Sequence, residues 1–139
     1  MSNAPINRAT IHHRVRRQHA SEIAQDYVEA IHEIGETGSA IKIRILQEIF
    51  GVSHVTVIRT LKRLEEQGLV SGTRSKEIEL TEEGRRLAMS AAARHELLRN
   101  FFIALGVSGD QADADAEGAE HHLSDETLNA IRKFLGRSH

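Results

Sequence analysis

Residues 53–68 read SHVTVIRTLKRLEEQG, and this stretch decides the fold. Ser53 is a helix-capping residue type and Gly68 a terminator. Between them Val57, Ile58, Leu61 and Leu64 recur with the 3.6-residue period of a helix that buries one side. Thr56, Arg59, Thr60 and Arg63 fall on the opposite side, with Lys62 flanking them. Just upstream, the turn GVS at 51–53 separates this helix from another apolar-periodic run near Ile41–Phe50. Helix, glycine-containing three-residue turn, helix is the helix-turn-helix outline. Just downstream, LVSGTRSKEIELT (69–81) has a turn-like centre, Gly72–Lys76, and an arm in which Ile78 and Leu80 alternate with Glu77 and Glu79. A basic-tipped hairpin after a recognition helix is a wing. Ser53, His54, Thr56, Arg59, Thr60, Lys62 and Arg63 are therefore the candidates for a major groove of double-stranded DNA, and Arg74 and Lys76 for backbone phosphates.

Further toward the N-terminus, SEIAQDYVEAIHEIG (21–35) predicts an amphipathic first helix, with Ser21 as cap and Gly35 as stop and Ile23, Tyr27, Ala30, Ile31 and Ile34 on the apolar side. Glu22, Asp26, Glu29 and Glu33 line one strip of it. Four like charges there repel one another, and something cationic would relieve them. Residues 1–19 hold Arg8, Arg14, Arg16 and Arg17 and no acid. This basic arm, expected to be flexible, reads either as a phosphate contact or as a solubilising tail.

Composition narrows the class. With 139 residues, 40% hydrophobic, the chain suits one domain or two small ones sharing a core. It contains no cysteine, which excludes disulfides, thiolate metal sites and a cysteine nucleophile and leaves histidine and carboxylate as the strong metal ligands. No apolar run approaches the roughly 20 residues that span a bilayer, and the first residues lack a signal-peptide core. The expected location is the cytoplasm, without a membrane partner.

After the hairpin, Thr81 caps a long helix that ends at Gly106 and carries the wide apolar face Leu97, Leu98, Phe101, Phe102 and Leu105, suited to another helix or a second subunit. Ser108 and Gln111 form a capping box for the next helix, and Ser124 caps a last one ending near Leu135. Between them lies DAEGAEHH, Asp115–His122. In helical spacing Glu117, Glu120 and His121 converge on one face, while His122 points elsewhere. Two carboxylates and an imidazole suit a divalent first-row cation such as manganese or ferrous iron. Three ligands do not complete an octahedral shell, and His95 on the long helix, with Asp26 and Glu29 on the first, are the candidates for the rest.

Three segments, QDYVEAI (25–31), RHELLRNFF (94–102) and DAEGAEHHLS (115–124), closely resemble the manganese-sensing branch of the diphtheria toxin repressor family, the manganese transport regulators. The resemblance covers roughly residues 22–135. It implies a mostly α protein with a small β-hairpin wing, in which a winged helix-turn-helix DNA-binding domain precedes a helical metal-binding and dimerisation domain. The divisions expected are a basic arm at 1–20, the DNA-binding domain at 21–90 and the metal-binding domain at 91–139. It further implies a homodimeric repressor of metal-uptake genes on a palindromic operator, with Mn2+ as corepressor, one or two ions per subunit. The implied ligands are Asp26, Glu29, His95, Glu117, Glu120 and His121. The iron-sensing branch resembles this layout with sulfur ligands at the positions of Asp26 and Glu117, so oxygen at both favours manganese over Fe2+ or other first-row metals. The chain departs from the family in its bulky, basic second helix and in a wing tip, TRSK (73–76), without glycine.

Two other readings stay open at this level. A metal-independent winged-helix regulator, or one that senses an organic ligand, would leave Asp26 and Glu29 solvated. A carboxylate-bridged dimetal enzyme wants a Glu-x-x-His pair on each of two helices, and the chain has no such second pair. The expectation is a regulator, not an enzyme, with no small organic substrate.

Overall fold

The computed structural model describes residues 8–137, and of residues 10–15, 17 and 18 the backbone alone. In chain order it contains α1 (Arg8–Glu36), α2 (Ile43–Phe50), α3 (His54–Glu66), β1 (Val70–Ser71), β2 (Glu79–Leu80), α4 (Glu82–Ala104), α5 (Gly109–Ala119) and α6 (Asp125–Arg137). The strands pair antiparallel, Val70 opposite Leu80 and Ser71 opposite Glu79.

The helix-turn-helix forms as its punctuation predicts. Gly51 ends α2 in the left-handed region at φ 62°, donating its N–H to the carbonyl of Gln47, a conformation that a Cβ would strain. Two residues later Ser53 caps α3 by accepting the N–H of Thr56. Helix α2 starts at Ile43, two residues later than its apolar pattern predicts, because Lys42 is still extended. In the wing, Gly72 at φ 81° turns so tightly that a Cβ there would lie 1.9 Å from the carbonyl oxygen of Glu77. Ile78 is buried and Glu77 and Glu79 are exposed, the alternation predicted for this arm.

Around α3 lies the first core, built from Tyr27, Val28 and Ile31 of α1, Leu46, Val57, Leu61, Leu64, Val70, Ile78 and Ala88. Tyr27 stacks flat on Phe50, ring centroids 4.2 Å apart. A smaller core joins Leu98, Ala116 and Leu128. Helix α4 serves both: Ala88 sits in the first core and Leu98 in the second, ten residues or roughly 15 Å further along the same axis. Small Ala88 and Ala91, both buried, let α1 approach α4 closely, which sets α1 beside α4 and α5 against its far half.

The first helix departs from expectation. It starts at Arg8 rather than Ser21, so residues 8–20 are helical and not a loose arm. The segment RATIHHRVRRQHA contains neither glycine nor proline to interrupt the backbone ladder. Ser21 is accordingly mid-helix and accepts a hydrogen bond from Gln25 Nε2 instead of capping. The first seven residues and the side chains of Arg14 and Arg17, two of the four arginines on which the phosphate-contact reading of the arm rests, lie outside the described residues.

Candidate metal centre and nucleic-acid interface

The six ligand candidates converge from three parts of the chain. Asp26 and Glu29 are one turn apart on α1, His95 lies on α4 and Glu117 in the last turn of α5. Helix α5 ends one residue before Glu120, which is its C-cap, and His121 follows in the turn to α6. The sequence reading placed Glu117, Glu120 and His121 on one helical face. The convergence is real although His121 lies just past the end of α5: Glu120 keeps helical dihedrals (φ −59°, ψ −26°), so the imidazole that follows it still faces α1.

His121 Nε2 lies 3.3 Å from Asp26 Oδ1 and 3.3 Å from Glu120 Oε1. His95 Nδ1 lies 3.4 Å from Glu117 Oε2 and 3.5 Å from Glu120 Oε2. Glu120 is only 1% exposed, yet neither of its carboxylate oxygens has a hydrogen-bond partner, and Glu29 Oε1 and His95 Nδ1 are likewise buried and unsatisfied. Close as these groups are, none of the contacts satisfies either Glu120 oxygen or His95 Nδ1 as a hydrogen bond.

A buried carboxylate without a partner is unstable as an anion. The protein responds by raising proton affinity. Burial, reinforced by the charges of Glu29 and Glu117, pushes Glu120 up to about 8. Burial and the neighbouring Glu117, Asp26 and Glu33 push Glu29 up to about 7. Asp26 is raised as well, mainly by burial, with His121 pulling the other way. The alternative to a proton is a cation, and the donor set fits one. Asp26, Glu120 and His121 form one group of mutually close ligand atoms; His95, Glu117 and Glu120 form a second; Asp26, Glu29, Glu117 and Glu120 form a third. Glu120 belongs to all three, so the groups are one connected centre.

Several side chains outside the six-residue ligand set surround this centre, and the sequence assigned Gln25, Arg94, Arg99 and Asp113 no role in it. Gln25 Oε1 accepts from Arg94 Nη2 at 2.7 Å and lies 2.9 Å from His121 Nδ1. Asp113 accepts from Arg99 Nε at 2.7 Å and stands 3.4 Å from His95 Nε2. His122 Nε2 lies 3.2 Å from Glu22 Oε1, which pins the turn after α5 to α1. An outer shell is detectable in sequence only as neighbours of ligands, and Gln25 next to Asp26 and Arg94 next to His95 were that signal.

On the other half of the molecule, His54, Thr56, Arg59, Lys62 and Arg63 of α3 are exposed, as are Ser53 at its start and Arg74 and Lys76 on the wing. Thr60 differs. It is half-buried, its hydroxyl donates to the carbonyl of Thr56 and it pairs with the Tyr27 side chain, so it faces α1 and not the outward side assigned to it. In its place the outward side includes Val55, 61% exposed. Lys42, just before α2, and Arg44 of α2, also absent from the predicted interface, join His54, Lys62, Thr73 and Lys76 around a groove of about 680 Å³ between α2, α3 and the wing. This concentrates cations beside the recognition helix, as phosphate contact requires.

Known proteins fit both halves. The iron-dependent repressor N-terminal DNA-binding domain matches residues 19–77, and the iron-dependent repressor metal-binding and dimerisation domain matches residues 81–139. The chain is 43% identical over 122 residues to the transcriptional regulator MntR of Escherichia coli O6:H1, covering 87% of this chain and 78% of that protein. It is 42% identical over 122 residues to MntR of Salmonella typhimurium, covering 87% and 77%. A solved manganese-dependent transcriptional repressor in complex with manganese superposes with a TM-score of 0.73 at 36% identity, over 81% of this chain and 52% of that one. The chain thus spans about half the length of that solved repressor. Among the described residues no helix is long and apolar enough to cross a membrane. With a DNA-binding half and a metal-binding and dimerisation half in the family's order, the chain belongs to the iron-dependent repressor family as an MntR-like, metal-responsive transcriptional repressor, not an enzyme.

Proposed function

We propose that the protein is a manganese-responsive repressor of metal-uptake genes, acting in the cytoplasm as a homodimer on a palindromic operator. The observation that carries the metal reading is Glu120: a buried carboxylate with two unsatisfied oxygens, set between two imidazoles and three further carboxylates. Manganese is favoured over ferrous iron because every candidate donor is oxygen or imidazole nitrogen, and no sulfur is among them. The overlap of the three donor groups suits one ion or a pair sharing Glu120.

In this reading the region from 21 to 90 serves DNA and the region from 91 to 139 serves metal and dimerisation, with the stretch before 21 as an extension. A bound divalent cation would supply positive charge where four carboxylates now face one another. Asp26 and Glu29 belong to α1, whose other side packs under the recognition helix, while His95, Glu117, Glu120 and His121 belong to the other half. Drawing the two sets together fixes α1 against α4 and α5, and through Tyr27 and Ile31 fixes α3. In a dimer this sets the separation of two recognition helices, which must reach successive major grooves about 34 Å apart. Arg59, Lys62, Arg63, Arg74 and Lys76, with Ser53, His54 and Thr56, are the proposed DNA contacts, whereas Thr60 braces α3 against α1.

The test is fluorescence anisotropy of chelator-stripped protein on its own promoter DNA at fixed salt, with manganese, ferrous iron, zinc and magnesium titrated separately. Manganese should raise affinity by about tenfold or more, a coupling of about 1.4 kcal/mol, with magnesium ineffective. Tight binding indifferent to all four metals overturns the reading.

A further inference from the structure

We propose that Gln25 is a positioning residue for the metal centre, holding His121 in the one tautomer that turns the Nε2 lone pair toward Asp26 and Glu120. The inference rests on the metal-centre reading above and adds to it a residue outside the ligand set.

The hydrogen-bond directions leave no alternative assignment at this junction. Arg94 can only donate, and its Nη2 is 2.7 Å from the Gln25 side-chain atom that faces it, so that atom is the carbonyl oxygen. At the other end of the amide, Gln25 Nε2 donates to Ser21 Oγ at 3.2 Å, consistent with the same orientation. A carbonyl oxygen can only accept. His121 Nδ1, 2.9 Å from it, must therefore carry the hydrogen. In the neutral ring Nε2 is then unprotonated, and it is this nitrogen that stands 3.3 Å from both Asp26 Oδ1 and Glu120 Oε1.

A free imidazole side chain in water prefers the opposite tautomer, with the hydrogen on Nε2, which would aim a proton at the place where a ligand lone pair is needed. Gln25 reverses that preference. Arg94 strengthens the effect by holding the amide in place and by polarising its carbonyl. The same two residues also tie the ligand to the frame: Gln25 precedes Asp26 on α1 and Arg94 precedes His95 on α4, so both elements orient an imidazole contributed by neither. Outer-sphere partners of this kind fix the tautomer and ring orientation of ligating histidines.

The experiment begins with nitrogen-15 NMR of the histidine rings in metal-free protein at a pH where the rings are neutral, the His121 signals being assigned by their loss in His121→Asn. Wild type should show His121 with the hydrogen on Nδ1. Gln25→Leu, similar in size but unable to accept, should move His121 toward the Nε2–H form and lower manganese(II) affinity, measured by calorimetry, by about 10- to 100-fold with the circular dichroism spectrum unchanged. Gln25→Glu retains an acceptor and should keep both the tautomer and the affinity, an outcome that a purely packing role does not predict. An Nε2–H ring in wild type, or a Gln25→Leu protein with unaltered tautomer or unaltered manganese affinity, overturns the proposal. Should the wild type bind no manganese, the metal-centre reading falls, while the metal-free tautomer comparison still decides what Gln25 does.

Discussion

Asp26 Oδ1 stands 3.3 Å from His121 Nε2, a contact that closes α1 of the DNA-binding half onto the turn between α5 and α6. The two residues are 95 positions apart in sequence, and both are ligand candidates. The centre is therefore also the seam between the two halves, and whatever binds there changes how firmly the seam is held.

Glu120 is the candidate ligand whose loss should be felt most, because every close donor group includes it. Glu120→Ala should weaken manganese binding by more than about 100-fold, beyond the range for an outer-sphere partner, and abolish metal-dependent operator binding. Retention of manganese-responsive repression by this variant would show that the site is misassigned.

The same carboxyl predicts a pH dependence in the metal-free protein. Its value rises from 4.5 to about 8 on folding, and that of Glu29 from 4.5 to about 7, both chiefly through burial. The folded state then holds these protons more tightly than the unfolded state, so their stabilising contribution is complete below about pH 4.5 and is lost as pH rises through 7 and 8. Thermal melts in chelator should show the midpoint falling between about pH 5 and 8, and Glu120→Gln should flatten that decline.

Manganese binding should in turn release protons near neutral pH, since Glu29 and Glu120 must ionise to ligate. Calorimetry in buffers of different ionisation enthalpy should detect the release at pH 6.5 and find it diminished at about pH 8.5, with apparent affinity rising across that interval. No proton release at pH 6.5 would mean that these carboxyls are already ionised in the metal-free state.

On the DNA side, Arg63→Ala should weaken operator binding and reduce the salt dependence of affinity by about one counterion while leaving metal affinity unchanged. Thr60→Ala, whose hydroxyl is already committed to Thr56 and Tyr27, should affect operator affinity much less than Arg59→Ala. Anisotropy over a salt series separates the cases. A Thr60→Ala loss as large as that of Arg59→Ala would return Thr60 to the groove-facing side.

An apolar patch at the far end of α4 predicts where subunits meet. Leu105 is 60% exposed and Phe134 53%, with Phe134 packed edge-on against Phe101, centroids 6.0 Å apart. Patches of this kind mark association surfaces. Leu105→Asp should give a monomer by sedimentation with helical content retained and with operator binding weakened.

Much of this was legible from local pattern. The caps Ser53, Thr81 and Ser108 lie where helices begin, and the left-handed glycines 51, 68 and 106 where they end, because capping depends on residues within one turn of each other. The identity of the six ligand candidates was also available, since donor chemistry is written in residue type. Three features were not: the length of α1 before Ser21, the orientation of Thr60, and the exit of His121 from the helix. Each depends on which neighbour a side chain or backbone segment meets, and a helical wheel carries no such information.

By itself, then, the sequence determined the order of helices, the wing, the cations beside the recognition helix and an all-oxygen-and-nitrogen donor set, because periodicity, capping and donor type are local properties. Only the tertiary structure decided that Glu120 is stripped of water and of hydrogen-bond partners, that Gln25 and Arg94 back His121, and that Asp26 meets it across the seam. Burial and long-range juxtaposition follow from how α1, α4 and α5 pack, and it is their packing that turns six separated residues into one centre.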